Sequence, residues 1–300
     1  MQTSLSALTV WTEMQANIKG DPSIPGIPII SAEIETVYMS MGMKKSFLSG
    51  IERKKVFKIL IDYEAWKTQI GGYDFQDFVR HIRIELDSSG YTGNRIHFMM
   101  VDEVQDCTGN LLKILMKITE QNLFFAGDTA QTIAKGVGFR FCDLRSLFND
   151  CQFERAELVQ LSKNFRSHGR ILDLGNSVVR LIQALFPETI DPMDPEVSSL
   201  DGPKPVILST NSSKDLEMIL LKSQRESSSR IEFGCNQVIL VRNDQAKKTL
   251  PSELTHALCL TIFESKGLEF EEVIIYNFFT HSDMSNKQWN YIKKLGYADL

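Results

Sequence analysis

Hydrophobic positions change their spacing along the chain. Near the N-terminus, Leu8, Trp11, Met14 and Ile18 recur at helical intervals, and Gly20 suits a helix stop. A second helical pattern runs from about Glu52 to Ile70, with Val56, Leu60, Tyr63 and Trp66 on one side and Gly71–Gly72 at its end. A third is predicted to begin near Asp74, with Phe75, Phe78, Val79 and Ile82 as its inner face. After Gly90 short apolar runs alternate with amphipathic stretches: Ile96–Val101, Leu123–Ala126, Val206–Leu208, Val238–Val241, Ala257–Phe263 and Val273–Phe279. Runs this short, bounded by turn residues and helical patterns, predict buried strands of parallel sheets. The expected class is α/β. The proline-rich stretch from Phe186 to Pro205 reads as a surface connection, because proline breaks helices and central strands.

Composition narrows the picture. With 300 residues, 43% hydrophobic and 24% charged, the chain has room for one large domain or two ordinary ones and does not resemble a disordered tail or a coiled-coil rod. No apolar run approaches the roughly 20 residues of a membrane-spanning helix, and the first residues lack the pattern of a secretory signal. No membrane partner is expected. The cysteines, Cys107, Cys142, Cys151, Cys235 and Cys259, show no CxxC spacing, which predicts a reducing, intracellular setting, nuclear or cytoplasmic. A net charge of −5 excludes a global polyanion-binding surface, so any nucleic-acid site must be local.

The chemistry lies where the predicted strands end. IHFMMVDEVQD, residues 96–106, turns from an apolar run into Asp102, Glu103, Gln105 and Asp106. Ligands of open α/β sheets bind outside the carboxyl ends of strands. Adjacent carboxylates there suit a hydrated Mg²⁺, which takes one or two carboxylates plus waters and phosphate oxygens, and a base that polarises water. An acidic turn after a strand is the competing reading. The next strand repeats the design: LFFAGDTAQTI carries Gly127, Asp128 and Gln131, and a glutamine there can orient water without adding charge. LSKNFRS, residues 161–167, then opens a helical stretch, and its Arg166 could complement charge on a phosphoryl group. Ser265–Lys266–Gly267 joins the last two apolar runs.

In this order and spacing, DEVQD, GDTAQTI, NFRS and TIFESKGLEF resemble the Walker B, third, fourth and fifth motifs of UvrD-like superfamily 1 helicases, and YDFQDF resembles the segment before Walker B. The style of VWTEMQANIKG, GDTAQTIAKGVGFRFCDLRSLF and KGLEFEEVIIYNFF is similar to the UvrD-like module of large TPR and ankyrin repeat-containing proteins. The resemblance implies two RecA-like (P-loop NTPase) domains with ATP in the cleft between them. It implies a helical segment over residues 1–90, the C-terminal half of the first RecA-like domain over 91–160, and the second domain over 161–300. Asp102 would hold Mg²⁺, Glu103 would be the general base, Gln131 would sense the γ-phosphate with Asp128 beside it, and Arg166 would contact it. Phe165 would stack on adenine where the family usually has tyrosine, Glu269 would approach the ribose, and Gly267 would be among the nucleotide-binding residues. The implied partners are single-stranded DNA or RNA, with flanking TPR or ankyrin repeats in a parent protein.

Departures from the family pattern set alternatives. No GxxxxGK[ST] pattern occurs in residues 1–101, the last helicase motif with its second arginine is also unmatched, and the first expectation is a fragment lacking both. Such a chain is expected to be inactive alone. The alternative is a non-catalytic scaffold module. Ala134, Lys135 and Gly136 stand where family helicases carry base-stacking aromatics, with Phe139 and Phe141 the nearest aromatic residues, and Phe263 replaces a usual histidine. Lys163, Arg166, Arg170, Lys247 and Lys248 could form local basic patches. A metal nuclease is disfavoured, because no histidine or further acidic cluster completes a two-metal site.

Overall fold

The first four α-helices begin on side chains that can accept a hydrogen bond from the first turn. Ser6 caps α1 (Ala7–Thr12), Ser31 caps α2 (Ala32–Ser40), Ser49 caps α3 (Gly50–Ile70) and Asp74 caps α4 (Phe75–Ser89). At Ser49 and Asp74 the third residue, Glu52 or Asp77, bonds back to the cap's N–H, so two orphan donors are satisfied reciprocally. Gly71, at φ +63°, ends α3 in the left-handed region that glycine enters without a steric penalty. The computed structural model describes residues 5–42, 45–120, 122–132, 140–151, 153, 156–187, 189–207, 237–251, 254, 257–280, 282 and 288–290. The chain divides into two compact units, Met1–Pro203 and Lys204–Leu300, which are described separately.

In the first unit, α1 runs on into a π-helix, Glu13–Lys19. Its wider turn buries Glu13, Met14, Gln15, Ile18 and Lys19 together. Met14 and Ile18 join Val10, Ile24, Ile34, Tyr38, Val56, Phe57 and Leu60 in one core. Lys19 is 0% exposed. Its ammonium reaches Glu64 at 3.0 Å and Asp74 at 2.5 Å, and also pairs with Asp77. Lys67 pairs with the same three carboxylates. Burial raises the Asp74 carboxyl, but the Lys19 ammonium outweighs it and holds the group at about 2. Burial likewise pulls Lys67 down, and its carboxylate partners more than reverse that, leaving it above the usual lysine range.

The inner face of α4 differs from the expected one. Val79 is buried, but Phe75 and Phe78 are 61% and 54% exposed. The buried positions are Gln76, Val79, Arg80 and Arg83. The loop after the π-helix turns unpaired carbonyls toward this face, and the guanidinium groups satisfy them. Arg80 donates to Pro25 O at 2.6 Å and to Ile27 O, and Arg83 donates to Ile24 O at 3.1 Å. Unpaired buried carbonyls are costly enough to draw in charged donors where hydrophobicity alone would place phenylalanine.

Two short parallel strands follow, β1 (Met99–Val101) and β2 (Leu123–Phe125), in register Met99↔Leu123 to Val101↔Phe125. The helix α5 (Gly109–Ile118) connects them, and Asn110 ties its start to Gly20 O at 2.9 Å and Lys19 O at 2.7 Å. Leu123 and Phe125 face a core of Val104, Leu112, Met116 and the residues Leu144, Leu147 and Phe148 of α6 (Phe141–Asp150). Met100 and Phe124, paired on the opposite face, are exposed. The helix α7 (Gly169–Leu185) completes the described helices of this unit.

The second unit holds β3 (Gln237–Val241), α8 (Asp244–Lys248), β4 (Cys259–Thr261) and β5 (Glu272–Ile275). The strands form one parallel sheet in the order β4-β3-β5. Ile239, Val241, Ala246 and Leu254 make its core. Of the strand expected around Ile207, Val206 and Ile207 are exposed and irregular, and Leu208 lies outside the described residues. Mixed helices and parallel sheets match the expected α/β class. No described helix is long and apolar enough to cross a membrane.

Candidate active site

The parallel register of β1 and β2 brings two polar loops side by side. Ala126 N–H donates to Val101 O at 2.8 Å, and Val104 N–H donates to Ala126 O at 3.0 Å, so pairing continues beyond the strands. The chain after β1 then presents Asp102 and Glu103. Asp102 Oδ1 accepts the Glu103 N–H at 2.8 Å. Glu103 lies in the left-handed region at φ +53°, ψ +38°. Such a backbone costs a residue with a β-carbon about 1–2 kcal/mol. The short 3₁₀ turn Val104–Asp106 follows and sends the buried Gln105 back under the loop.

Gln105 joins the two loops. Its Nε2 donates to Glu103 Oε2 at 2.5 Å, and its Oε1 accepts the Asp128 N–H at 3.1 Å. Asp128 in turn caps the turn Thr129–Gln131: Oδ1 accepts from Ala130 N–H at 2.9 Å, and Oδ2 accepts from Gln131 Nε2 at 2.7 Å. The structure thus connects Glu103, Gln105, Asp128 and Gln131 in one hydrogen-bonded chain at the carboxyl end of the sheet, with Asp102 exposed beside Glu103. Gly127 leaves no room for a side chain, since a β-carbon would lie 2.4 Å from Gln105 Oε1.

The NFRS loop is built on asparagine. Asn164 Oδ1 accepts the N–H groups of Arg166 and Ser167 at 2.9 and 2.8 Å, and its Nδ2 donates to Glu196 Oε2 at 2.6 Å. Asn176 of α7 holds both backbone groups of Glu196, at 2.8 and 2.9 Å. Phe165 projects from this turn 75% exposed, with the Lys163 ammonium 5.1 Å from its ring centroid. Arg166 is also exposed. These residues group with Met1–Pro203.

In the second unit the segment after β4 forms a turn whose Gly267 has φ +76°. Glu264 accepts the Thr261 N–H at 2.8 Å and the Lys247 ammonium at 2.8 Å. The lysine contact chiefly holds this carboxyl at about 2. Glu269 follows the glycine on the surface.

Two of these loops, after β1 and β2, fall in a segment that is similar to a known family. Residues 35–150 match the family model of the UvrD/REP helicase N-terminal domain. Over these residues the chain is similar to UvrD-like helicases. Among curated relatives, human "TPR and ankyrin repeat-containing protein 1" is 39% identical over 97% of this chain and 10% of its own length. An "ATP-dependent helicase/nuclease" subunit from Natranaerobius thermophilus is 28% identical over 79% of the chain and 18% of its own length. The "Probable DNA helicase" of Mycoplasma pneumoniae is 26% identical over 76% of the chain and 45% of its own length. The chain therefore spans between a tenth and under half of these relatives.

The matched UvrD-like segment contains Asp102, Glu103, Asp128 and Gln131. It also contains Gln105, whose bridging role the sequence alone did not show; its place in DEVQD, next to Asp106 and two residues after Glu103, was the available signal. Asn164, Asn176 and Glu196, which build the arginine-bearing loop, left no comparable signal, because their pairing spans 20 to 32 residues. Ala134, Lys135, Gly136 and Phe139 lie outside the described residues, as does Cys235.

Proposed function

We propose that this UvrD-like chain is part of an ATP-dependent helicase or translocase acting on single-stranded DNA or RNA. The observation that carries the reading is the convergence of the β1 and β2 loops, with Glu103 and Gln131 joined through Gln105 and Asp128. Asp102 offers an exposed carboxylate next to a second one at a strand end, a donor set that fits hydrated magnesium. Bound there, the ion would neutralise phosphate oxygens. Glu103 takes the proton of the attacking water. Gln131, oriented by Asp128, contacts the terminal phosphate. Arg166 complements the charge that develops on it. Phe165 offers an exposed ring for adenine stacking. The assignment of residues 91–160 and 161–300 to two RecA-like domains belongs to the same proposal.

The test compares ATP binding with ATP turnover in the natural full-length protein. Glu103→Gln keeps size and hydrogen bonding but removes the base, so turnover falls by about 10²-fold or more while a fluorescent ATP analogue binds as before. Equal turnover in wild type and variant refutes the assignment and favours a non-catalytic scaffold.

A further inference from the structure

The residues assigned above leave the buried amide of Gln105, which lies between the same two loops, without a role. Gln105 is 0% exposed, yet both ends of its amide are engaged by the site. The amide orientation follows from its partners: the Glu103 carboxylate accepts, and the Asp128 N–H donates. Each contact constrains a different loop. Glu103 sits in the left-handed backbone region, held there by Val104 N–H on Ala126 O and Asp106 N–H on Glu103 O, both at 3.0 Å. Gln105 fixes the carboxylate that this backbone delivers. On the other side Gly127 lets the β2 loop approach Gln105 more closely than any β-carbon permits, and the Asp128 N–H closes the bridge.

We propose that Gln105 is a positioning residue for phosphoanhydride hydrolysis: one amide sets the Glu103 carboxylate and the Asp128–Gln131 loop in a common register. This rests on the reading of Glu103 as the base. The consequence is mechanical. A displacement of the loop that contacts the terminal phosphate is transmitted to the carboxylate that meets the water, so hydrolysis becomes sensitive to whatever moves that loop.

Two substitutions separate the two ends of the amide. Gln105→Glu keeps an oxygen to accept the Asp128 N–H but replaces the donor facing Glu103 with a like charge. Gln105→Met keeps the length and removes both bonds. The natural full-length protein is measured by hydrogen exchange across residues 127–131 and by steady-state ATP turnover, with Glu103→Gln as reference. Exchange in Gln105→Glu stays near wild type and becomes about tenfold faster in Gln105→Met. In both variants kcat falls by about tenfold or more while KM for ATP moves by less than about threefold. A role in folding alone would instead leave kcat per folded molecule unchanged. Wild-type kcat in both Gln105 variants, with Glu103→Gln inactive, overturns the inference. Should Glu103→Gln retain full turnover, the base assignment fails and with it the catalytic role of Gln105. Exchange then decides the bridge alone: faster in Gln105→Met only supports it, and equal in all variants overturns it. If Gln105→Met does not fold, Gln105→Glu carries the kinetic test.

Discussion

Replacing Lys19 by methionine tests how the N-terminal helices are held. The ammonium is fully buried and pairs with Glu64, Asp74 and Asp77, three carboxylates it shares with Lys67. Two lysines against three carboxylates leave one net negative charge; Lys19→Met leaves two in the same space. Methionine keeps most of the aliphatic stem, so the loss is electrostatic rather than a cavity. Removing one partner of a buried ion pair costs about 3–5 kcal/mol. The side chain of Asp77 is 27% exposed, so solvent screening places the expected loss near the lower end. At about 2–4 °C per kcal/mol for a unit this size, a loss of about 3 kcal/mol lowers Tm by about 6–12 °C. The assay is urea and thermal unfolding followed by circular dichroism. Asp74 and Asp77 have depressed pKa values in the folded state. Their contribution is present above the unfolded carboxylate range near pH 4 and is lost as pH falls toward about 2, the Asp74 value. In the variant the uncompensated carboxylates take up protons more readily, so its deficit shrinks as pH is lowered from 7 toward 4. A deficit below about 1 kcal/mol at pH 7, or one independent of pH over that interval, refutes the reasoning.

Two glycines predict different outcomes for the same substitution. At Gly127 an added β-carbon would lie 2.4 Å from Gln105 Oε1 and 2.8 Å from Val104 Cγ1; Gly127→Ala therefore destabilises the first unit by about 1–3 kcal/mol in urea unfolding and speeds amide exchange in the β2 loop. At Gly267, where φ is +76° and nothing lies within 4 Å, Gly267→Ala carries only the backbone term of about 1 kcal/mol. Ala134→Tyr supplies an aromatic beside the third motif, and in a strand-tracking protein it tightens single-strand binding by about 1–3 kcal/mol, one stacking contact, measured by fluorescence anisotropy.

The parts of the fold set by local chemistry were legible in the sequence. Apolar runs ending in Asp102–Glu103 and in Gly127–Asp128 do form adjacent parallel strands, and Asp74 does start a helix. The inner face of α4 was not legible. Hydrophobic spacing pointed to Phe75 and Phe78, but the buried side answers to the carbonyls of Ile24, Pro25 and Ile27, which become neighbours only in three dimensions. Lys19 escaped for the same reason: lysine is rarely buried unless paired, and its partners lie 45 to 58 residues away in the chain. At the site, residue types announced the carboxylates, whereas Gln105 needed the β1–β2 register to show what its amide joins.

In the proposed function, ATP hydrolysis at Glu103 is coupled to a single strand. That coupling is tested most directly by the ATP turnover of the natural full-length protein, with and without single-stranded DNA and RNA of several lengths at low salt, where electrostatic binding is strongest. Turnover is expected to rise when strands are added and to be abolished by Glu103→Gln under every condition. Turnover indifferent to every strand, or undiminished by Glu103→Gln, would contradict it.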